Sequence, residues 1–317
     1  MRVLIWHVHG SYMTSLVQGP HTYLIPVLPD RGPDGRGRAR TWTWPDNAVE
    51  IRPEEAAQAE VDVVILQRPE ELGGLAERWL GGRRPGRDVP AVYLEHNTPQ
   101  GRINDLRHPA ADRPDLQLVH VTAFNQLFWD AGATPSSVID HGIVDPGHRY
   151  TGELPRLGVV ANEPVRRARV TGTDLIPELA QAGPVDLYGM QVSRFAAEGV
   201  STHEDLPQER LHTELARRRA YVHPVRWTSL GLSLLEAMHL GMPVIALATT
   251  EVVEAVPPGA GTTSTRVEVL VEAARRYLHD PALAAEHGRA ARRAALERYG
   301  LERFLSDWDR LLKEVAG

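Results

Sequence analysis

The chain has 317 residues, a formal net charge of −6, 42 % hydrophobic and 24 % charged residues, and no cysteine. This is the profile of a globular protein long enough for two domains. The absence of cysteine excludes disulfides, iron–sulfur clusters and thiolate zinc sites, and the negative charge argues against general affinity for nucleic acid. No run of 18 apolar residues exists, so no integral membrane segment is expected.

The first apolar run, RVLIWHV (2–8), is too short for a signal peptide and lacks a cleavage pattern, so it reads as a first buried strand and cytoplasmic location is the default. The basic, glycine-rich RGPDGRGRAR (31–40) reads as a solvated, mobile loop. Further buried-strand runs follow at VDVVILQ (61–67), VPAVYLE (89–95), LQLVHVT (116–122) and SSVIDHG (136–142). Helical patterns lie at 70–80 and at 123–132, the second stopped by Gly132. A polar, turn-rich linker spans 143–156.

The rhythm then restarts. Strands are expected at 157–162, 185–189, 221–225 and 243–248, and helices at 173–183 and 208–220. The tail from about Val267 is helical, with breaks near Pro281 and Gly300. One lysine, Lys313, against 34 arginines points to a GC-rich, bacterial genome. Strands alternating with helices imply parallel sheets with covered faces. The expected fold is α/β, with two Rossmann-like domains facing each other across a cleft. The expected boundaries are 1–147 for the first domain and 148–300 for the second, with a terminal helix, 301–317, packing back on the first. Ligands in such folds bind at the carboxyl ends of the strands.

No G-x-G-x-x-G follows a strand and no Walker A lysine loop exists. The DWD at 307–309 reads as surface charge, and the 14 histidines lack ligand spacing on any one helix, so neither metal nor cofactor is expected. The informative stretch is RWTSLGLSLLEAMHLGMPVIA (226–246). Gly231 opens a helix there, and free N–H groups of residues 229–232 form an anion site suited to a diphosphate. Glu236 sits within the helix, with Leu232 and Leu240 four residues away on either side and no local arginine. It is either a ligand for a vicinal diol such as a ribose, or a solvated helix glutamate with His239 as a weak partner.

From Gly231 onward, GLSLLEAMHLGMPVIA resembles the nucleotide-sugar motif of retaining GT-B glycosyltransferases of family four, E-x7-E followed by A-M-x-x-G-x-P-V-I. VIDHGIVDPG (138–147), LVHVTAFNQLFWDAG (118–132) and GLERFLSDWDRLL (300–312) are similar to other segments of that family. The resemblance implies a hexosyltransferase that moves a sugar from a nucleoside-diphosphate sugar to a small-molecule or glycan acceptor, with retention and without metal. Glu236 matches the ribose-binding glutamate, and Thr228, Ser229, Leu230, Gly231 and Leu232 form the donor-binding segment. Arg166 and Arg167, with Arg169, stand where the family has a basic pair after the first strand of the second domain. The first family glutamate is replaced here by Thr228, which implies a modified or deoxygenated donor sugar.

On the acceptor side, His9, Ser11, Gln18 and His21 follow the first strand, and His7 within it reads as packed. His96 ends another strand and is placed with Arg166 and Arg167 as catalytic, while His141 beside Gly142 reads as structural. Two alternatives stay open, a non-catalytic sugar-nucleotide-binding helper and a GT-B epimerase.

Overall fold

The opening apolar run does form a strand, β1, but only over Arg2–Ile5. The computed structural model describes residues 1–317, which divide into unit 1 (Met1–Val144 with Leu301–Gly317) and unit 2 (Asp145–Gly300). In unit 1, β1 leads to α1 (Gly10–Leu16), β2 (Thr22–Pro26), β3 (Ala48–Ile51), α2 (Pro53–Gln58) and β4 (Val63–Leu66). Then come α3 (Ala76–Trp79), β5 (Ala91–Glu95), β6 (Gln117–His120), α4 (Ala123–Phe128) and β7 (Ser136–Val138). The seven strands pair in parallel in the order β3-β2-β1-β4-β5-β6-β7. All four residues of β4 are buried, as a parallel strand covered on both faces requires.

In unit 2 the elements are β8 (Leu154–Val160), α5 (Ala168–Thr171), α6 (Ile176–Leu179), β9 (Val185–Gly189), β10 (Val200–Glu204), α7 (Gln208–Ala216) and β11 (Arg218–His223). They continue with α8 (Leu232–Leu240), β12 (Val244–Leu247), α9 (Val252–Ala255), β13 (Gly261–Ser264), α10 (Val267–His279) and α11 (Pro281–Tyr299). The parallel sheet has the order β10-β9-β8-β11-β12-β13. The last helix, α12 (Leu301–Ala316), belongs to unit 1. Its Phe304, Trp308 and Leu312 recur every four residues and are buried, and Trp308 Nε1 donates to Tyr12 Oη of α1 at 3.0 Å. No helix is long and apolar enough to cross a membrane.

Several sequence expectations need correction. The stretch 6–24 holds β2, whose Thr22 pairs with Arg2 of β1. The glycine-rich 31–40 segment is not a free loop. Arg31 makes two bonds to Glu50, at 2.8 and 3.1 Å, and the Arg38 amide gives Glu50 a third at 2.8 Å. His7 Nδ1 lies 2.9 Å from Gly37 O, and Trp6 Nε1 donates to Asp34 O. The helix expected over 70–80 is broken by Gly73 and by Gly74, whose φ of +113° no helix tolerates. The helix from Ala123 ends at Phe128, because Trp129 turns extended; Gly132 lies in a later turn with φ +55°. Residues 218–220, expected as helix, open β11.

Candidate donor and acceptor sites

The segment expected to bind the donor is built between a buried strand and a buried helix. All six residues of β11 are buried. The chain then turns through Pro224–Leu230 into α8, whose residues from Leu234 to Leu240 are all buried. No side chain caps α8, and the amides of Gly231, Leu232 and Ser233 have no protein acceptor. The helix therefore presents free N–H groups and the positive end of its dipole.

Gly231 is needed for a spatial reason. A Cβ there would lie 2.4 Å from Cε1 of the His223 ring. His223 is 1 % exposed, its Nε2 has no partner, and its Nδ1 meets Tyr221 Oη at 3.3 Å. Burial lowers its pKa to about 4, so the ring is neutral. An unsatisfied buried nitrogen beside uncapped amides marks a polar site that the protein alone leaves incomplete.

Glu236 is buried rather than solvated, at 9 % exposure. Its partners come from α7, where Gln208 Nε2 donates to Oε1 at 3.1 Å and His212 Nε2 lies 3.4 Å from Oε2. His239 is not a partner, since its Nδ1 binds Leu235 O at 2.8 Å.

The arginine segment lies against the same loop. Val170 O accepts from the amides of Arg226 and Trp227, at 2.9 and 3.3 Å, two residues before Thr228. Gly172 approaches so closely that a Cβ would lie 1.7 Å from Pro224 O. Within the segment the arginines differ. Arg166 is paired with Glu163, and Arg169 with Asp174 at 2.9 Å, whereas Arg167 has no carboxylate within ion-pair distance. Thr228 is half-buried and bonds to nothing in the protein, and Ser229 and Leu230 are buried.

In unit 1, His9 and His96 come together, with ring centroids 4.2 Å apart. His9 precedes α1, and His96 follows β5 directly. Tyr12 packs edge-on against His96 at 4.6 Å and against His141 at 5.6 Å. Burial, then nearby Arg36 and His7, brings His9 to about 4; burial, then His9 and His141, pushes His96 well below the ordinary histidine range. His141, also lowered to about 4 chiefly by burial, has no partner for either ring nitrogen.

Two expected neighbours are elsewhere. Gln18 lies beyond the carboxyl end of α1, exposed, with its Nε2 on Thr14 O. His21 precedes β2, whose start is level with the start of β1, so it sits at the amino edge of the sheet, 3.4 Å from Asp309. A strand reverses the end of the sheet that a residue occupies, and β2 was not visible in the sequence. Ser11 is in the first turn of α1, half-exposed. Sequence reasoning missed His223, Gln208, His212 and Gln67. His223 and Gln67, each at a strand's carboxyl end, had a usable signal.

Residues 193–294 match the family model of glycosyl transferases group 1. No curated protein sequence matches significantly. Among solved structures, the chain is similar to a sucrose-phosphate synthase from Thermosynechococcus elongatus, at 14 % identity, 99 % and 98 % coverage of the two chains and a TM-score of 0.75. HepE of Anabaena, solved with UDP and glucose, matches at 15 % identity, 99 % and 100 % coverage and a TM-score of 0.73. A glycosyltransferase from Rickettsia africae matches at 13 % identity, 99 % and 98 % coverage and a TM-score of 0.73. With two parallel α/β sheets, the chain has the GT-B fold of these structures, and the segment that matches the group 1 glycosyltransferase model encloses α8 and Glu236.

Proposed function

We propose that unit 2 binds a nucleoside-diphosphate sugar at the amino end of α8, and that His9 and His96 of unit 1 bind a hydroxylated acceptor. The observation that carries this reading is the uncapped α8 start with the unpartnered His223 ring against Gly231. Free amides of Gly231, Leu232 and Ser233 suit the diphosphate oxygens. Arg167, free of carboxylates, suits the same charge and can grip phosphate with two N–H groups. Glu236, held by Gln208 and His212, would accept from the ribose hydroxyls.

As the sugar–phosphate bond breaks, negative charge grows on the diphosphate. Pre-aimed amides and Arg167 would stabilise it without reorganising. Transfer is read as retaining, with the departing phosphate oxygen able to take the acceptor's proton. The neutral, desolvated His9 and His96 then serve as hydrogen-bonding groups rather than as cations. A cytoplasmic setting belongs to this reading, as the compartment where nucleoside-diphosphate sugars are made.

Thermal unfolding in the presence of UDP, GDP, ADP or dTDP tests the donor site. One of them should raise Tm, because a ligand of the native state stabilises it. Gly231→Ala should remove that rise, since its φ of −72° admits alanine but the methyl collides with His223. A rise that survives this variant would move the diphosphate elsewhere.

A further inference from the structure

We propose that Gln67 is a positioning residue that holds His96 as its Nε2–H tautomer, so that Nδ1 accepts a hydrogen bond from an O–H or N–H of the bound acceptor. The proposal rests on the reading of His96 as an acceptor-side residue.

Gln67 follows β4 directly and is 2 % exposed. One end of its amide lies 2.7 Å from Trp6 O, and the other lies 2.9 Å from His96 Nε2. A main-chain carbonyl can only accept, so the NH2 group faces Trp6. The amide oxygen then faces His96, and it too can only accept. His96 Nε2 must therefore carry the hydrogen. The main chain of Gln67 is anchored as well. Its amide donates to Glu71 Oε2 at 2.6 Å, and Glu71 is held by Arg68 Nε at 2.7 Å.

A neutral imidazole has a single N–H, so Nδ1 holds the lone pair. The groups around His96 keep it neutral. His9 and Tyr12 pack against it, His141 lies beyond Tyr12, and no carboxylate touches the ring. Burial of this depth disfavours the imidazolium form. Nδ1 has no protein partner, so it is the ring's open position. A ligand group meeting it must bring a hydrogen. A sugar or alkyl hydroxyl, or an amine, satisfies it; an ether, carbonyl or carboxylate oxygen does not. Gln67 thereby selects acceptor chemistry without touching the acceptor.

The tautomer is read by two-bond proton–nitrogen NMR correlation on the full chain labelled with 15N-histidine, with His96 assigned by its loss in His96→Asn. The natural protein should show His96 neutral and protonated at Nε2 from about pH 6 to 8. Gln67→Glu keeps the shape and adds a charge, so the doubly protonated ring should appear in that window. Gln67→Leu removes the acceptor, so Nδ1–H should appear. A natural protein with Nδ1–H, or a Gln67→Leu spectrum identical to it, overturns the proposal.

Hydrolysis of UDP-glucose by the Gln67→Glu variant should fall about tenfold, the worth of one hydrogen bond to the accepting nitrogen. UDP affinity by calorimetry should stay within about twofold, because Gln67 is in unit 1. Unchanged hydrolysis also overturns the proposal. If the natural protein neither binds UDP nor hydrolyses UDP-glucose, the tautomer measurement alone decides the role of Gln67, and the donor reading fails only if GDP, ADP and dTDP do not bind either.

Discussion

Glu236 has to be met by partners because α8 buries every residue from Leu234 to Leu240. They come from α7, as Gln208 and His212, and neither was legible beside the motif since they lie far back in sequence. The motif itself was legible because it is contiguous, and glycine, acid and apolar run announce their own geometry. Glu236→Ala should weaken the affinity for the bound nucleoside diphosphate about ten- to a hundredfold, as loss of a charged acceptor costs about 1.5–3 kcal/mol. Gln208→Ala should cost less, because His212 remains. Calorimetry on both decides this, and an unchanged Glu236→Ala affinity would misplace the ribose. The two arginines should also separate. Arg166 is already matched by Glu163 and Arg167 is not, so Arg167→Ala should lower donor affinity and Arg166→Ala should do so less. Unchanged affinity in both variants would remove the arginines from the site.

Central strands and edge strands differ in how well they show in sequence. The buried runs in β1, β4, β5 and β12 stand out as continuous apolar stretches, since helices cover both faces. The strands VSTHE of β10 and GTTS of β13 end their sheet, are half-exposed, and so carry no such run. The helix α12 was legible from its four-residue spacing, but its target, α1, was not. That contact offers a direct test. Trp308 is 1 % exposed and bonded to Tyr12, and Gly142 leaves room for Phe304 beside it. Trp308→Ala should destabilise unit 1 by about 3–5 kcal/mol through the cavity it opens. Tyr12→Phe should cost only about 1 kcal/mol, the worth of the hydrogen bond. Urea unfolding of the two variants measures both, and a loss under 1 kcal/mol for Trp308→Ala, set against the usual cost of about 3, would mean that α12 is not stapled at this point.

At the scale of the whole chain, acid should act on the two units unequally. Burial holds His9, His120 and His141 of unit 1 at about 4 and pushes His96 well below the ordinary histidine range, whereas in unit 2 only His223 is held at about 4. A folded-state value below the unfolded one, 6.5, means that the unfolded chain takes up protons first as the pH falls. The stability these rings contribute is complete above the unfolded value and drains away between it and about 4. The rate is up to about 1.4 kcal/mol per pH unit for each ring, and less for the partly exposed His9. Unit 2 has a carboxylate working in the other range. Burial would raise Asp186, but bonds from Arg156, Arg218 and His203 outweigh it and hold it at about 2. Its contribution is complete above the unfolded value, 3.8, and is lost only as the pH falls towards 2. Unit 1 should therefore unfold at the higher pH. Six of the seven tryptophans, Trp6, Trp42, Trp44, Trp79, Trp129 and Trp308, belong to unit 1, so tryptophan fluorescence reports it almost alone. In an equilibrium acid titration the fluorescence change should precede the loss of far-UV ellipticity, which averages over both units. His120→Leu removes one buried ring with no partner at either nitrogen, and should move the fluorescence transition to lower pH while leaving the later ellipticity loss in place. Coincident transitions in the natural protein, unmoved by this variant, would show that the buried histidines do not set its acid limit.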